Sequence, residues 1–89
     1  MNQFVFTKKA EKRFLDLPKS MQERMINKLK DLKQHDDILS VLKRLHHLEP
    51  ASHRLRVGDY RLILELKKQT KKETIFWILD VGDRKDVYK

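Results

Sequence analysis

The apolar residues of this chain change their spacing part-way along the sequence, and this change limits the folds it can adopt. In the first part, apolar residues recur every three to four positions, as on one face of a helix. They are Ala10, Phe14 and Leu17, followed by Met21, Met25, Leu29 and Leu32. From His53 onward the spacing becomes two, as on one face of a strand. Helices and strands are therefore segregated along the chain, which indicates the α+β class.

The first third of the chain predicts one strand and two helices. Residues 3–6 place two phenylalanines on one face, as a short strand does. Thr7 is a suitable N-cap for the first helix, and Pro18 either ends that helix or opens the next. Ser20 and Glu23 have the spacing of a capping box, so we expect a second helix over residues 20–34. Two helices this close in sequence can form a hairpin.

Residues 35–50 allow two interpretations. A short helix capped by Asp36 or Asp37 is one of them. An extended segment over residues 41–45 is the other, because its apolar residues are too few to define a period. Pro50 then marks a loop.

The last third predicts three strands. A Gly-Asp turn signal separates the first two, and the polar residues 67–73 separate the second from the third. Residues 74–81 are apolar on both faces, which predicts a central strand. Within it, Trp77 alternates with Ile75 and Leu79, and we expect its indole to lie in the core.

The length of the chain favours a single domain over residues 1–89, with an antiparallel sheet and the helical hairpin packed on one of its faces. It excludes a TIM barrel and a Rossmann domain with a second module. Cysteine is absent, which excludes disulfides and thiolate metal sites and favours the cytoplasm. No uncharged run approaches the roughly 20 residues that cross a bilayer, and the first residues lack the pattern of a signal peptide.

The charge of the chain suggests a polyanionic partner. Lys and Arg total 21 and Asp and Glu total 13, so the formal net charge is +8. Nucleic acid and a very acidic protein are the two partner classes that suit this charge. Solubility alone is the other explanation.

Arginines alternate with apolar residues on two neighbouring predicted strands. Arg54 and Arg56 point away from the apolar residues of the first strand, and Arg61 points away from those of the second. If the apolar residues face the helices, all three arginines emerge together on the other face of the sheet, which we call the open face. Further candidates follow the last strand: Arg84, Lys85 and Tyr88.

This set of residue types suits phosphate chemistry. Guanidinium groups bind phosphate through paired hydrogen bonds and stabilise the charge of a phosphoryl transition state. A tyrosine can stack on a base or exchange a proton. The alternative is a solvated sheet face on which the arginines pair with acidic residues, namely Asp59, Glu65, Asp80 or Asp83. The residues alone favour neither interpretation.

Three histidines, His46, His47 and His53, are the only hint of a metal site. Adjacent His46 and His47 do not share a helix or strand face, and no carboxylate stands at a zinc-protease spacing. We therefore expect neither a metal nor a cofactor.

Two segments resemble a known toxin superfamily. They are RLRVGDYRLILEL at residues 54–66 and ILDVGDRKDVYK at residues 78–89. Together with the order of elements, they are similar to the RelE/ParE superfamily of toxins from toxin–antitoxin systems, and the resemblance covers essentially the whole chain. The R-x-R-x-G-x-Y-R and V-G-x-R-x-x-V-Y patterns match the RelE-type branch better than the ParE branch.

The resemblance implies a ribosome-dependent endoribonuclease that cuts messenger RNA without a metal, by attack of a ribose 2′-hydroxyl on the adjacent phosphate. It implies that Arg54, Arg56, Arg61 and Arg84 hold the phosphate and stabilise the transition state. Tyr88 would stack on a base or transfer a proton, and Lys85 would contact RNA and serve as the reserve for proton transfer.

Two positions depart from the family pattern, and the general base stays open because of them. Arg54 stands where RelE-type toxins often have a lysine, and Asp83 where many have a histidine or another basic residue. The resemblance also implies an acidic antitoxin that binds the toxin in a hetero-oligomer. The alternatives are a ParE-type inhibitor of DNA gyrase and a non-catalytic relative that binds RNA or antitoxin.

Overall fold

The computed structural model describes residues 1–83, which form a five-stranded sheet and two α-helices. In chain order the elements are β1 (Asn2–Phe6), α1 (Lys8–Leu15), α2 (Lys19–Lys33), a 3-10 helix (Ile38–Val41), β2 (Lys43–Arg44), β3 (His53–Val57), β4 (Tyr60–Gln69) and β5 (Thr74–Asp83). The α+β class is confirmed. Within these residues, no helix is both long enough and apolar enough to cross a membrane.

The start of α1 follows the prediction. The side chain of Thr7 accepts a hydrogen bond from the backbone N–H of Ala10 at 3.2 Å, which satisfies one of the unpaired donors of the first turn. Ala10 and Phe14 are buried, and the Phe14 ring packs on Phe6 with a centroid separation of 5.1 Å. The apolar spacing of α1 therefore faces the sheet, as expected.

The start of α2 follows one of the two predictions for Pro18, which opens this helix, but not the predicted side-chain cap. Pro18 is the N-cap, and no side chain caps the helix, so the capping box of Ser20 and Glu23 is wrong. The carbonyl of Pro18 accepts the first hydrogen bonds of the helix, from the backbone N–H groups of Met21 and Gln22. Gln22 ties the two helices together instead, because its Nε2 donates to the carbonyls of Leu15 and Leu17.

The end of α2 is held by the first strand. The buried side chain of Asn2 donates from Nδ2 to the carbonyl of Leu32 at 2.7 Å and to that of His35 at 2.8 Å. These bonds satisfy two carbonyls at or beyond the last turn of the helix, which have no partner within it. The helical layer is thus fixed to the sheet at both of its ends.

The strand order is β1-β5-β4-β3-β2, so β5 is central, as predicted. All pairings are antiparallel except that of β1 with β5, which is parallel and makes the sheet mixed. The antiparallel expectation missed this pair because side-chain alternation is the same whichever way a strand runs. Strand β4 also extends to Gln69, into the segment expected to be a loop.

The core lies between the helices and one face of the sheet. Apolar side chains from α1, α2 and every strand except β2 meet there, and the largest of those fully buried are Phe76, Met25, Leu62, Leu64, Ile78 and Val81. In β5 a register shift lets Ile63 pair with Asp80 while Leu64 pairs with Ile78. Because of this shift, the side chains of β5 no longer alternate strictly between the two faces of the sheet. Val81 therefore faces the core although it lies three residues after Ile78.

Trp77 lies outside this core, with 41% of its surface exposed, so its predicted burial is wrong. Its neighbours Phe76 and Ile78 are fully buried against the helices, and alternation therefore directs the indole to the open face. When both faces of a strand are apolar, the sequence does not indicate which face packs against the core.

Both interpretations of residues 35–50 are correct in part. A 3-10 helix spans Ile38–Val41, with Asp37 as its N-cap but without a side-chain hydrogen bond at the cap. The extended segment follows as Lys43–Arg44, which pairs with β3.

Candidate functional site

The β3–β4 hairpin brings three predicted site residues together. Arg56 stands directly opposite Arg61, and Arg54 stands opposite Ile63, which is two residues along from Arg61. Opposing side chains of an antiparallel pair start about 5 Å apart and share a face. Because Leu55 belongs to the core, the arginine cluster (Arg54, Arg56 and Arg61) lies on the open face.

The turn of this hairpin depends on Gly58. Its φ is 62°, a value that side-chain-bearing residues rarely adopt and that the first central residue of a type II′ turn requires. Val57 and Tyr60 close the two-residue loop. The Gly-Asp signal in the sequence thus fixes the register that aligns the arginines.

The three arginines differ in their access to solvent. Arg56 is exposed, and its Nε donates to the carbonyl of Gly58 at 3.1 Å. Arg54 is half-buried. Arg61 is only 8% exposed, although it lies on the open face with the other two. It lies opposite Gly82 of β5, which has no side chain to occupy the space beside it.

Two of the four acidic residues considered as arginine partners bind other cations. The Asp80 carboxylate lies 3.4 Å from Nζ of Lys9 and 3.2 Å from a terminal nitrogen of Arg13, which joins α1 to the edge of the sheet. The Glu65 carboxylate lies 3.1 Å from Nζ of Lys67. Asp80 and Glu65 therefore serve local structure and do not neutralise the cluster.

An aromatic side chain extends the open face beyond the arginines. Trp77 carries Nζ of Lys67 above its ring, 4.2 Å from the centroid, in a cation–π contact. Val5 stands opposite Trp77 in the β1–β5 pairing and is 46% exposed. Sequence reasoning missed this surface, and the only available signal was that both neighbours of Trp77 are also strongly apolar.

His53 lies at the other end of β3. Its ring is 8% exposed, contacts Phe76 edge-on, and places Nδ1 2.9 Å from the hydroxyl of Ser52. Burial, and secondly the charge of Arg44, lower the pKa of His53. With His46 and His47 it lines a cavity of about 550 Å³. In residues 1–83, no three His, Asp or Glu side chains converge as a metal site would require.

The remaining candidates cannot be located. Arg84, Lys85 and Tyr88 lie outside the described residues, and their roles stay predictions. The described part of the site is therefore a cluster of three arginines on the β3–β4 hairpin.

Solved structures of similar fold come from toxin–antitoxin complexes. A chain of the RelBE2 complex from Mycobacterium tuberculosis matches with a TM-score of 0.73 at 25% identity, over 92% of this chain and 96% of that one. A chain of the archaeal RelE–RelB complex from Pyrococcus horikoshii OT3 matches with a TM-score of 0.68 at 21% identity, over 97% and 98%. For the intact E. coli RelBE complex the TM-score is 0.63 at 20% identity, over 90% and 93%. The fold is that of RelE toxins.

The sequence itself identifies the family. The family model described as the ParE toxin of the type II toxin–antitoxin system parDE matches residues 4–88. The chain belongs to this toxin family, within the RelE/ParE superfamily. It is thus a toxin of the type II toxin–antitoxin class. No curated protein sequence matches it significantly.

Proposed function

We propose that this toxin is a ribosome-dependent endoribonuclease that cuts messenger RNA in the cytoplasm. The observation that carries the proposal is the arginine cluster, in which Arg56 and Arg61 stand directly opposite each other with Arg54 beside them. Each guanidinium can donate paired hydrogen bonds to phosphate oxygens, and opposed side chains of a strand pair are close enough to reach one phosphate together. The cluster therefore suits a phosphodiester.

The chemistry follows from what guanidinium groups can and cannot do. They remain charged at cellular pH, so they cannot accept the proton of the attacking 2′-hydroxyl. They can hold two phosphate oxygens and stabilise the additional negative charge of the transition state. The low exposure of Arg61 strengthens such an interaction, because a less hydrated environment screens it less.

The remaining roles fall on residues outside the described part of the chain. Arg84 would complete the phosphate clamp, Lys85 would contact RNA, and Tyr88 would stack on a base or take the proton. The 2′-oxygen would attack phosphorus, the 5′-oxygen would leave with a proton, and a cyclic phosphate would remain. No metal takes part in the proposed step.

Inhibition of DNA gyrase is the second candidate. One observation favours it, namely the match of residues 4–88 to the ParE family model. Such an inhibitor acts by binding a protein and needs no phosphate clamp. The closely opposed arginines would then be a contact surface, and their loss would weaken binding gradually.

The proposed partner that silences the toxin is an acidic antitoxin. Three proteins of similar fold were solved in RelBE2, RelBE and RelE–RelB toxin–antitoxin complexes. A net charge of +8 speeds association with an acidic chain at low salt. We propose the same hetero-oligomeric arrangement for this toxin.

The test is to express the toxin without an antitoxin and to map the 5′ ends of cellular messages within minutes. New ends on translated messages only are expected. Intact messages together with DNA breaks would replace this proposal with gyrase inhibition. Intact messages in growing cells would leave a non-catalytic binding protein.

Arg56→Gln tests the arginine cluster directly. Because Arg56 is exposed, the variant should fold normally, yet cleavage should fall by roughly a hundred- to a thousand-fold, as for the loss of one transition-state donor. Lys71→Gln removes the same charge from the exposed β4–β5 loop, beyond the far end of β4, and should cleave normally. Equal cleavage by the two variants, measured as the yield of new 5′ ends per toxin molecule, would contradict the assignment.

A further inference from the structure

A basic groove runs between α2 and the β3–β4 turn. It has a volume of about 370 Å³, and its lining includes Arg24, Lys28 and Asp31 from the helix, with Arg56 and Gly58 from the hairpin. Three cations and one carboxylate give this groove an excess of positive charge. Arg24 and Lys28 lie on the polar side of an amphipathic helix, a position that in a sequence usually indicates a solvated face.

The guanidinium of Arg24 rests on the backbone of Gly58. A Cβ added to Gly58 would lie 2.9 Å from the terminal nitrogen NH1 and 3.3 Å from Cζ of Arg24. The guanidinium is the flexible end of the Arg24 side chain and can move aside, so the positive φ of the turn is what requires glycine here. Within residues 1–83, neither Arg24 nor Lys28 forms an ion pair or a side-chain hydrogen bond.

Arg56 connects this groove to the arginine cluster. Strand β2 pairs only with His53 and Arg54, so at Arg56 the strand β3 has an open edge within the described residues. The Arg56 Nε binds the carbonyl of Gly58, which turns the guanidinium toward the groove. The same side chain therefore borders both the open face and the groove.

We propose that this groove binds a backbone phosphate of single-stranded RNA. The strand held at the arginine cluster would continue over the Gly58 turn, and its next phosphates would reach Arg24 and Lys28. The Asp31 carboxylate, one turn beyond Lys28, repels phosphate and places the bound group at the Arg24 end. This inference rests on the proposed function, because it assumes the same RNA at the arginine cluster.

The test measures binding of a fluorescent 2′-O-methyl RNA oligonucleotide, which lacks the attacking hydroxyl and cannot be cut by the proposed route. Affinity is followed by anisotropy over a range of salt concentrations. For single strands, each phosphate contact contributes about 0.7 to the slope of log affinity against log salt. Arg24→Gln and Lys28→Gln should each reduce this slope, by up to that amount because the two cations share the groove.

Lys30→Gln is the matched control. It removes the same charge from the same helix, and Lys30 is exposed and does not line the groove. Its salt slope should equal that of the wild type.

Several results would contradict the proposal that the groove binds single-stranded RNA. Equal slopes for Arg24→Gln, Lys28→Gln and the control would do so, as would a wild-type protein that does not bind the oligonucleotide even at low salt. A loss seen only with duplex RNA, or only with an acidic protein partner, would assign the groove to that ligand instead.

The mapping of message ends separates the two proposals. If messages are cut while Arg24→Gln keeps the wild-type slope, only the groove is wrong. If Arg24→Gln lowers the slope and messages stay intact, RNA binds in the groove and only the cleavage proposal is wrong.

Discussion

At the scale of single residues, His53 is a buried titratable group on the helix side of β3. It stands opposite Leu64 and lies against Phe76, in a position where a charged ring is poorly hydrated. Arg44, paired with it in the β2–β3 ladder, adds a like charge. Both effects favour neutral imidazole in the folded protein, with burial the larger.

This pKa shift predicts that stability falls in mild acid. Because the pKa of His53 is lower in the folded protein than in the unfolded chain, the unfolded chain takes up the proton first as pH falls. The contribution of His53 to the free energy of unfolding is complete above the unfolded pKa, about 6.5, and is lost as pH falls through the folded pKa. Urea unfolding measured from pH 7.5 down to pH 5 should show this decrease.

His53→Asn should weaken the pH dependence, since an amide does not titrate. His47→Asn is the control, because His47 is exposed and its φ of 60° is one that asparagine tolerates. An unchanged pH dependence in His53→Asn would assign the effect to other groups.

Single residues also show where sequence reasoning succeeds. Arg54, Arg56 and Arg61 could be assigned to one face because a two-residue turn with glycine fixes the hairpin register. The burial of Arg61 could not be predicted, since it depends on the strand beside β4 and on the glycine that this strand places there. The approach of Arg24 to Gly58 could not be predicted either, because only the folded structure brings α2 beside the β3–β4 turn.

At the scale of elements, β5 joins two faces of different character. Phe76 is fully buried and stacks on Phe4 with centroids 5.7 Å apart, whereas the next residue, Trp77, is 41% exposed. Size and hydrophobicity would rank the tryptophan as the better core residue. Its position in the alternation of a central strand outweighs that preference.

Phe76 and Trp77 provide a matched pair for comparing how much each face of β5 contributes to the free energy of unfolding. Phe76→Ala should lower the free energy of unfolding by about 3–5 kcal/mol, as is usual for a large aromatic removed from a core. Trp77→Ala should cost about 1 kcal/mol, mostly from the contact with Lys67 and the partly covered ring. Urea unfolding of the two variants measures the difference. Similar losses would mean that the open face is packed as tightly as the core.

The helix ends also show that residue type alone does not determine where a helix is capped. Thr7 precedes an otherwise unpaired first turn and caps it as its residue type predicts. Ser20 has the same preference, but Pro18 already begins α2 two residues earlier. The last turn of α2 is capped from Asn2, some thirty residues away, and no pattern within the helix could reveal that.

At the scale of the whole molecule, the charge is both uneven and unbalanced. The net charge is +8, because 21 Lys and Arg residues outnumber 13 Asp and Glu residues, and ion pairs such as those of Asp80 leave this excess unchanged. Surface ion pairs contribute about 0–1 kcal/mol each, and repulsion within a strongly charged body opposes the compact state. The excess of cations therefore dominates the electrostatic energy of folding.

Salt should consequently stabilise the free toxin. Raising sodium chloride from 10 mM to 300 mM shortens the Debye length from about 30 Å to less than 8 Å, and this screens repulsion across the molecule more than contacts within an ion pair. We expect the urea midpoint to rise, by an amount equivalent to about 1 kcal/mol. A midpoint that falls with salt would mean that the Asp80 ion pairs outweigh the net charge.

The parallel contact of β1 with β5 has a consequence for the order of events during synthesis. Asn2 pairs with Thr74, and the amino group of Met1 binds the carbonyl of Lys72, 71 positions further along the chain. Strand β1 is synthesised first, but it can join the sheet only after β5 has been synthesised, because β5 lies between β1 and the other strands. Contacts between residues so far apart in the sequence form late and slowly during folding. A nascent chain therefore cannot assemble this sheet until β5 has emerged, and whatever its open face binds is out of reach until then.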